Sequence, residues 1–166
     1  MSYLSKISFI LILVLYVGAG KKEVTLNEGI QPGNLAPDFR LQGMEIQEGK
    51  CILLQFWAAY DPQSRVENTL MTHAVTELNA DNLQLISISM DENPSVFKGT
   101  ITSDRLDTTT QWNAPTGKKS AIYKHYRLKN GFGNWLINAN GKIVAKNISP
   151  TAAEIEKNLY LCSPNQ

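Results

Sequence analysis

Apolar positions along this 166-residue chain fall into short blocks whose spacing changes from one block to the next. Residues 50–58 contain Cys51-Ile52-Leu53-Leu54-Gln55-Phe56-Trp57, a nearly continuous apolar run bounded by Gly49 and by Asp61-Pro62. Such a run fits a strand buried on both faces, as at the centre of a parallel sheet. Asp61 followed by Pro62 is a helix start, an acceptor for the cap and then a residue preset at the helical φ. Val66, Leu70, Ala74 and Leu78 recur every four residues, predicting a helix to about Asn79 that buries this stripe. Residues 83–90, with Leu85, Ile86, Ile88 and Met90, read as a second strand. Together they make a βαβ unit with a right-handed crossover.

Asn93-Pro94 opens a short helix toward Leu106, residues 108–119 read as irregular, and residues 120–127 read as a helix carrying Ile122, Tyr123 and Tyr126. Trp135-Leu136-Ile137 and Ile143-Val144-Ala145 flank Asn138-Ala139-Asn140-Gly141, and Asn-Gly between two apolar runs signals a hairpin. Thr151-Ala152-Ala153-Glu154 has capping-box spacing and opens a last helix, with Ala152, Ile155, Leu159 and Cys162 on one face. The order is βαβ, a helix, a ββ hairpin and a terminal helix, which predicts a three-layer α/β/α class with a central mixed sheet.

The N-terminus follows another pattern. Lys6 precedes a run, residues 7–17, apolar at every position but Ser8 and followed by Gly18, Ala19 and Gly20. A cation, a short apolar stretch and small residues spaced two apart form the layout of a cleavable secretory signal. Eleven helical residues rise only about 16 Å, roughly half the hydrocarbon thickness, which argues against a spanning helix. The expected organisation is a signal peptide over residues 1–19, a polar tether over 20–33, one domain over 34–162 and a tail over 163–166. The mature protein is expected outside the cytoplasm, in the periplasm or cell envelope, with no membrane insertion after cleavage; an uncleaved anchor is the lesser alternative.

Composition changes this picture little. Hydrophobic residues make up 43% and charged residues 19%, and 16 basic residues against 15 acidic ones leave a net charge of +1. The basic and acidic residues are scattered along the sequence, and this balance gives no footprint for nucleic acid. His73 and His125 are the only histidines, and no Cys or His pair has metal-ligand spacing, so neither a metal nor a cofactor is expected.

Three segments carry a resemblance to a known family. Gly33-Asn34-Leu35-Ala36-Pro37-Asp38-Phe39-Arg40-Leu41 is similar to the opening of secreted bacterial thioredoxin-like proteins of the TlpA/ResA type, and the peroxiredoxin (AhpC/TSA) group opens similarly. Gly49-Lys50 and the strand ending in Phe56-Trp57-Ala58-Ala59 resemble the strand leading into that family's active site. Trp135-Leu136-Ile137-Asn138 with Asn140-Gly141-Lys142-Ile143-Val144 resembles its C-terminal hairpin. The resemblance covers residues 33–159 and implies a thioredoxin-like fold.

The family's chemistry places two thiols, separated by two residues, at the first turn of the helix. There the helix N-terminus lowers the first thiol's pKa, and the second resolves the mixed disulfide. In this sequence Asp61 and Ser64 stand at those positions, and neither side chain exchanges disulfides. The family also places a cis-proline before the hairpin, where Phe132 or Gly133 stands here; a cis bond before a non-proline residue would cost about 2.5–4 kcal/mol. The resemblance therefore implies a degenerate member.

Asp61 and Ser64 have a structural explanation as helix-start residues. A serine hydrolase built on Ser64 with His73 or His125 lacks an oxyanion-loop motif. Trp57, Tyr60, Phe132 and Trp135 are expected to cluster around the former active turn, either as core or as an apolar surface for a partner. In the thioredoxin order the last helix ends beside the start of the central strand, so Cys51 and Cys162 are candidates for a structural disulfide; two separate thiols are the alternative. The favoured expectation is a redox-inactive module that binds an envelope protein or peptide. An oxidoreductase using a remaining thiol and a purely structural subunit stand beside it.

Overall fold

A computed structural model describes residues 27–162. The signal peptide expected over 1–19, the first part of the tether and the tail over 163–166 lie outside the described residues.

Strand β1 (Cys51–Trp57) is buried at every position, as a continuous apolar run requires. Helix α1 (Pro62–Leu78) follows it and returns the chain to β2 (Leu83–Ser89), which pairs parallel with β1. Helix α2 (Pro94–Ser103) leads to β3 (Gln111–Asn113), a short edge strand parallel to β2. This corrects the reading of 108–119 as wholly irregular: three residues gave too short a run to register as a strand. Helix α3 (Ala121–His125) precedes the hairpin of β4 (Asn134–Ile137) and β5 (Ile143–Lys146), and α4 (Ala152–Leu159) closes the order. The sheet runs β3-β2-β1-β4-β5, with β4 antiparallel to both of its neighbours, so the sheet is mixed.

Alternation along β1 divides the core. Ile52, Leu54 and Phe56 face Ile122 and Tyr126 of the α3 segment, with Trp135 and Ile137 from β4. Cys51 and Leu53 face Met71 and Ala74 of α1 and Ile155 of α4. Trp57, at the end of β1, turns to Phe97 and Ile101 of α2.

Two expectations need correction. The stripe Val66–Leu70 on α1 is exposed, at 59% and 48%, while Ser64, Asn68, Met71, Thr72 and Ala74 are buried. Asn68 and Thr72 are satisfied by polar side chains of β2 and β3. The Asn68 amide donates to Gln111 at 3.1 Å, Ser87 donates to Asn68, and the Gln111 amide donates to Thr72 at 3.3 Å. A polar stripe satisfied in this way can be buried without penalty, and a hydropathy count cannot see it. The second correction concerns the tether, whose described part is packed on the domain. Gly29 N–H donates to Leu35 O at 3.0 Å, Gly33 N–H to Ile143 O at 2.8 Å, and the Trp135 indole to Ile30 O at 3.1 Å.

Candidate functional site

The turn between β1 and α1 is held by its own side chains. Asp61 is extended (φ −113°), and its Oδ1 accepts from Ser64 N–H at 2.8 Å, which caps α1 ahead of Pro62. Ser64 is 2% exposed. Its hydroxyl donates to Asp61 O and accepts from Ala58 N–H, both at 3.2 Å. Both residues are therefore engaged in building the helix start. The Ser64 hydroxyl is neither open to solvent nor bonded to a histidine; His73 points outward on α1, and His125 is exposed at the end of α3.

A residue that the sequence reading did not single out clamps the same turn from the next strand. Asp91, 3% exposed just beyond β2, accepts from Ala59 N–H with both carboxylate oxygens, at 2.9 and 3.1 Å. Ser89 donates to it at 2.6 Å, and Asn113 donates to its backbone carbonyl at 2.8 Å. A carboxylate buried this deeply needs several donors to offset its lost hydration, and here it has them. The available sequence signal was an acidic residue directly after a buried strand.

The four aromatic residues expected together separate into three environments. Trp57 is fully buried against Phe97, their ring centroids 6.2 Å apart, and Trp135 is 5% exposed between Phe56 and Tyr126. Neither can form a partner surface, because each stands on a strand, β1 or β4, that is buried at every position. Tyr60 and Phe132 do meet, with centroids 6.3 Å apart, and Tyr60 is 51% exposed. Lys118 Nζ stands 5.0 Å from the Tyr60 ring centroid, in cation–π range. Partial burial, with added repulsion from Tyr123, Asp91, Asp61 and Glu92, pushes the Tyr60 phenol up to about 12. Phe132 is half-buried, and Gly133 is buried with its carbonyl accepting from Phe56 N–H at 3.0 Å. The peptide bonds of the described residues are all trans.

Cys51 and Cys162 are joined by a disulfide with Cα atoms 6.1 Å apart. It ties the start of β1 to the turn after α4. The seven-residue β1 strand places it roughly 20 Å from the α1 start. These are the chain's only two cysteines, so no free thiol accompanies them. Among the described residues no group of three or more His, Cys, Asp or Glu is placed to hold a metal ion, and no helix is long and apolar enough to cross a membrane.

No family model matches the chain, and no curated protein does. Solved structures do. The chain is similar to a thioredoxin-like protein from Parabacteroides distasonis, at 40% identity over 83% of this chain and 99% of that one, with a TM-score of 0.72. It is also similar to the C-terminal domain of a thiol-disulfide oxidoreductase from Bacteroides thetaiotaomicron, at 26% identity over 68% and 76% of the two chains, TM-score 0.56. A thioredoxin domain of a thiol-disulfide oxidoreductase from Bacteroides vulgatus shares the fold at 21% identity, covering 78% and 98%, TM-score 0.64.

Proposed function

Because the chain belongs to the thioredoxin-like family, which includes thiol-disulfide oxidoreductases, we propose that it keeps that fold without the chemistry, as a redox-inactive module of the bacterial cell envelope that binds a peptide or protein beside the α1 start. The observation that carries this reading is the pairing of Asp61 with Ser64. At the two positions where the family's thiols would stand, a carboxylate caps a serine N–H, and that serine's hydroxyl is spent on the turn. Disulfide exchange requires a thiolate attacking along the S–S axis, and this turn holds no sulfur. The N-terminal cation, apolar run and small residues support export of the domain.

The exposed Tyr60 beside Phe132 favours a binding role over a purely structural one, since it leaves an aromatic face open at the turn. The rival reading, an oxidoreductase using Cys51 and Cys162, draws on the disulfide that joins them, but Cys51 is 3% exposed and offers little access to a substrate thiol.

Insulin reduction by dithiothreitol separates the readings. The chain is expected to give no turnover above a protein-free blank. Turnover that persists in Cys51→Ser/Cys162→Ser would overturn the inactive reading, and turnover abolished by that double change would establish the rival. Pull-down from envelope extract, compared between the unaltered chain and Tyr60→Ala/Phe132→Ala, tests where the partner binds.

A further inference from the structure

The near-neutral total hides a strong asymmetry. Between Asp107 and Glu154 the chain carries no acidic side chain, yet it carries Lys118, Lys119, Lys124, Arg127, Lys129, Lys142 and Lys146. Folding gathers four of these around one concavity. Lys118, Lys124, Arg127 and Lys129 line a groove of about 560 Å³ together with Tyr123 and Asn130. The backbone makes this convergence. Arg127 takes a left-handed conformation (φ 54°) after α3, and this turn brings Lys129 back beside Lys124.

The four cations are exposed, and none takes part in an ion pair among the described residues, where the pairs are Arg40–Asp38, Arg65–Asp104 and Lys157–Glu154. Glu92 packs beside Gly117 but does not line the groove. Four like charges converging on one concavity repel one another and raise the local potential, which an anionic occupant would relieve. Lys118 belongs both to the groove wall and to the face of Tyr60, so the groove lies beside the Tyr60–Phe132 pair at the α1 start.

We infer that this groove is the docking site for an acidic, extended peptide segment of the partner, its carboxylates set among Lys118, Lys124, Arg127 and Lys129 and an adjoining apolar side chain against Tyr60 and Phe132. The inference rests on the binding role proposed above and gives that partner its chemistry. A peptide fits the observations better than a lipid surface or a nucleic acid. The cations converge on one concavity instead of forming a flat patch or a long stripe, and the aromatic rim beside them offers an apolar contact between charges.

Fluorescence anisotropy with the purified full chain tests this. The probe is a fluorescein-labelled peptide, Gly-Glu-Glu-Phe-Glu-Glu-Gly, set against the same peptide with each Glu replaced by Gln. The acidic peptide is expected to bind saturably, at least ten-fold tighter than the Gln peptide, and to weaken as salt rises. Lys124→Glu/Arg127→Glu is expected to weaken it at least ten-fold. Lys98→Glu/Lys146→Glu, the same charge change away from the groove, is expected to leave it within two-fold. Lys118→Gln/Lys129→Gln replaces the first pair should that variant not fold. Equal binding of the two peptides, or equal loss in the distant control, overturns the inference. So does tighter engagement of inorganic phosphate or of phosphatidylglycerol vesicles by the same cations. Turnover in the insulin assay would remove the inactive reading without altering the anisotropy result. Acidic-peptide binding that survives Tyr60→Ala/Phe132→Ala would support the groove while removing the aromatic contact.

Discussion

Asp61 Oδ1 accepts a hydrogen bond of 2.8 Å from the backbone N–H of Ser64, so the two residues are bonded to each other as the cap of α1. Asp61→Ala is expected to destabilise the fold by about 1 kcal/mol, the usual cost of a lost cap. Ser64→Ala leaves the Ala58 N–H without its acceptor and is expected to cost about 1–3 kcal/mol. Urea unfolding of both variants checks these values. A change below a few tenths of a kcal/mol in both would mean the turn is not held this way.

Reintroducing the thiols should not restore the enzyme. Asp61→Cys/Ser64→Cys is expected to reduce insulin weakly at most. It removes the cap and the Ser64 bridge, and the loop before β4 still carries no proline, which the proposed reading needs for substrate docking. Rates comparable to an active thioredoxin-like enzyme would show that the loop before β4 does not limit substrate docking.

The disulfide closes a loop with a sequence separation of 111. On the chain-entropy model such a loop stabilises by about 4–5 kcal/mol, and Cys51→Ser/Cys162→Ser is expected to lose up to that much in urea unfolding. Thiol titration of the denatured, unreduced protein should find no free thiol. Two reactive thiols per chain would refute the bridge.

Alkaline pH should weaken the fold through two tyrosines. Tyr60 holds its proton to about 12, chiefly through partial burial, and burial pushes Tyr126 up as well. An unfolded tyrosine ionises near pH 10. Above that pH the unfolded chain binds fewer protons than the folded one, so stability falls as pH rises from about 10 toward 12. Below pH 10 these two groups contribute no slope. Urea midpoints measured between pH 9 and 11.5 should decline, and less steeply in Tyr60→Phe/Tyr126→Phe. An unchanged slope would show that neither tyrosine is responsible. Tyr126→Phe also removes the 2.7 Å hydrogen bond to Pro37 O and is expected to cost about 1–3 kcal/mol at neutral pH.

The outer face of α1 gives a sharp contrast. Val66→Ser and Leu70→Ser are expected to change stability by no more than about 0.5 kcal/mol, since both side chains are already about half exposed to water. Met71→Ala, at a fully buried position, is expected to cost about 2–5 kcal/mol. A large loss at Leu70 in thermal or urea unfolding would restore the stripe that hydropathy alone predicts.

The elements themselves were legible because their causes are local. The run at β1 is apolar at almost every position, Asp61-Pro62 presets a cap and a φ, and Asn140-Gly141 supplies the hairpin turn; each works within a few residues. The order of those elements was enough to specify the fold class. What depended on contacts between distant segments was decided only by the tertiary structure. Burial of Asn68 and Thr72 rests on Ser87 and Gln111 from β2 and β3, the clamp on the α1 start comes from Asp91, and Trp57 and Trp135 are withdrawn from the surface by α2 and by the Phe56–Tyr126 packing. Four of the cations that looked scattered along the chain line one groove, with the left-handed turn at Arg127 setting Lys129 beside Lys124. A one-dimensional pattern records each residue's own preference for water. It does not record the partner that satisfies a buried polar group or the neighbour that concentrates a charge.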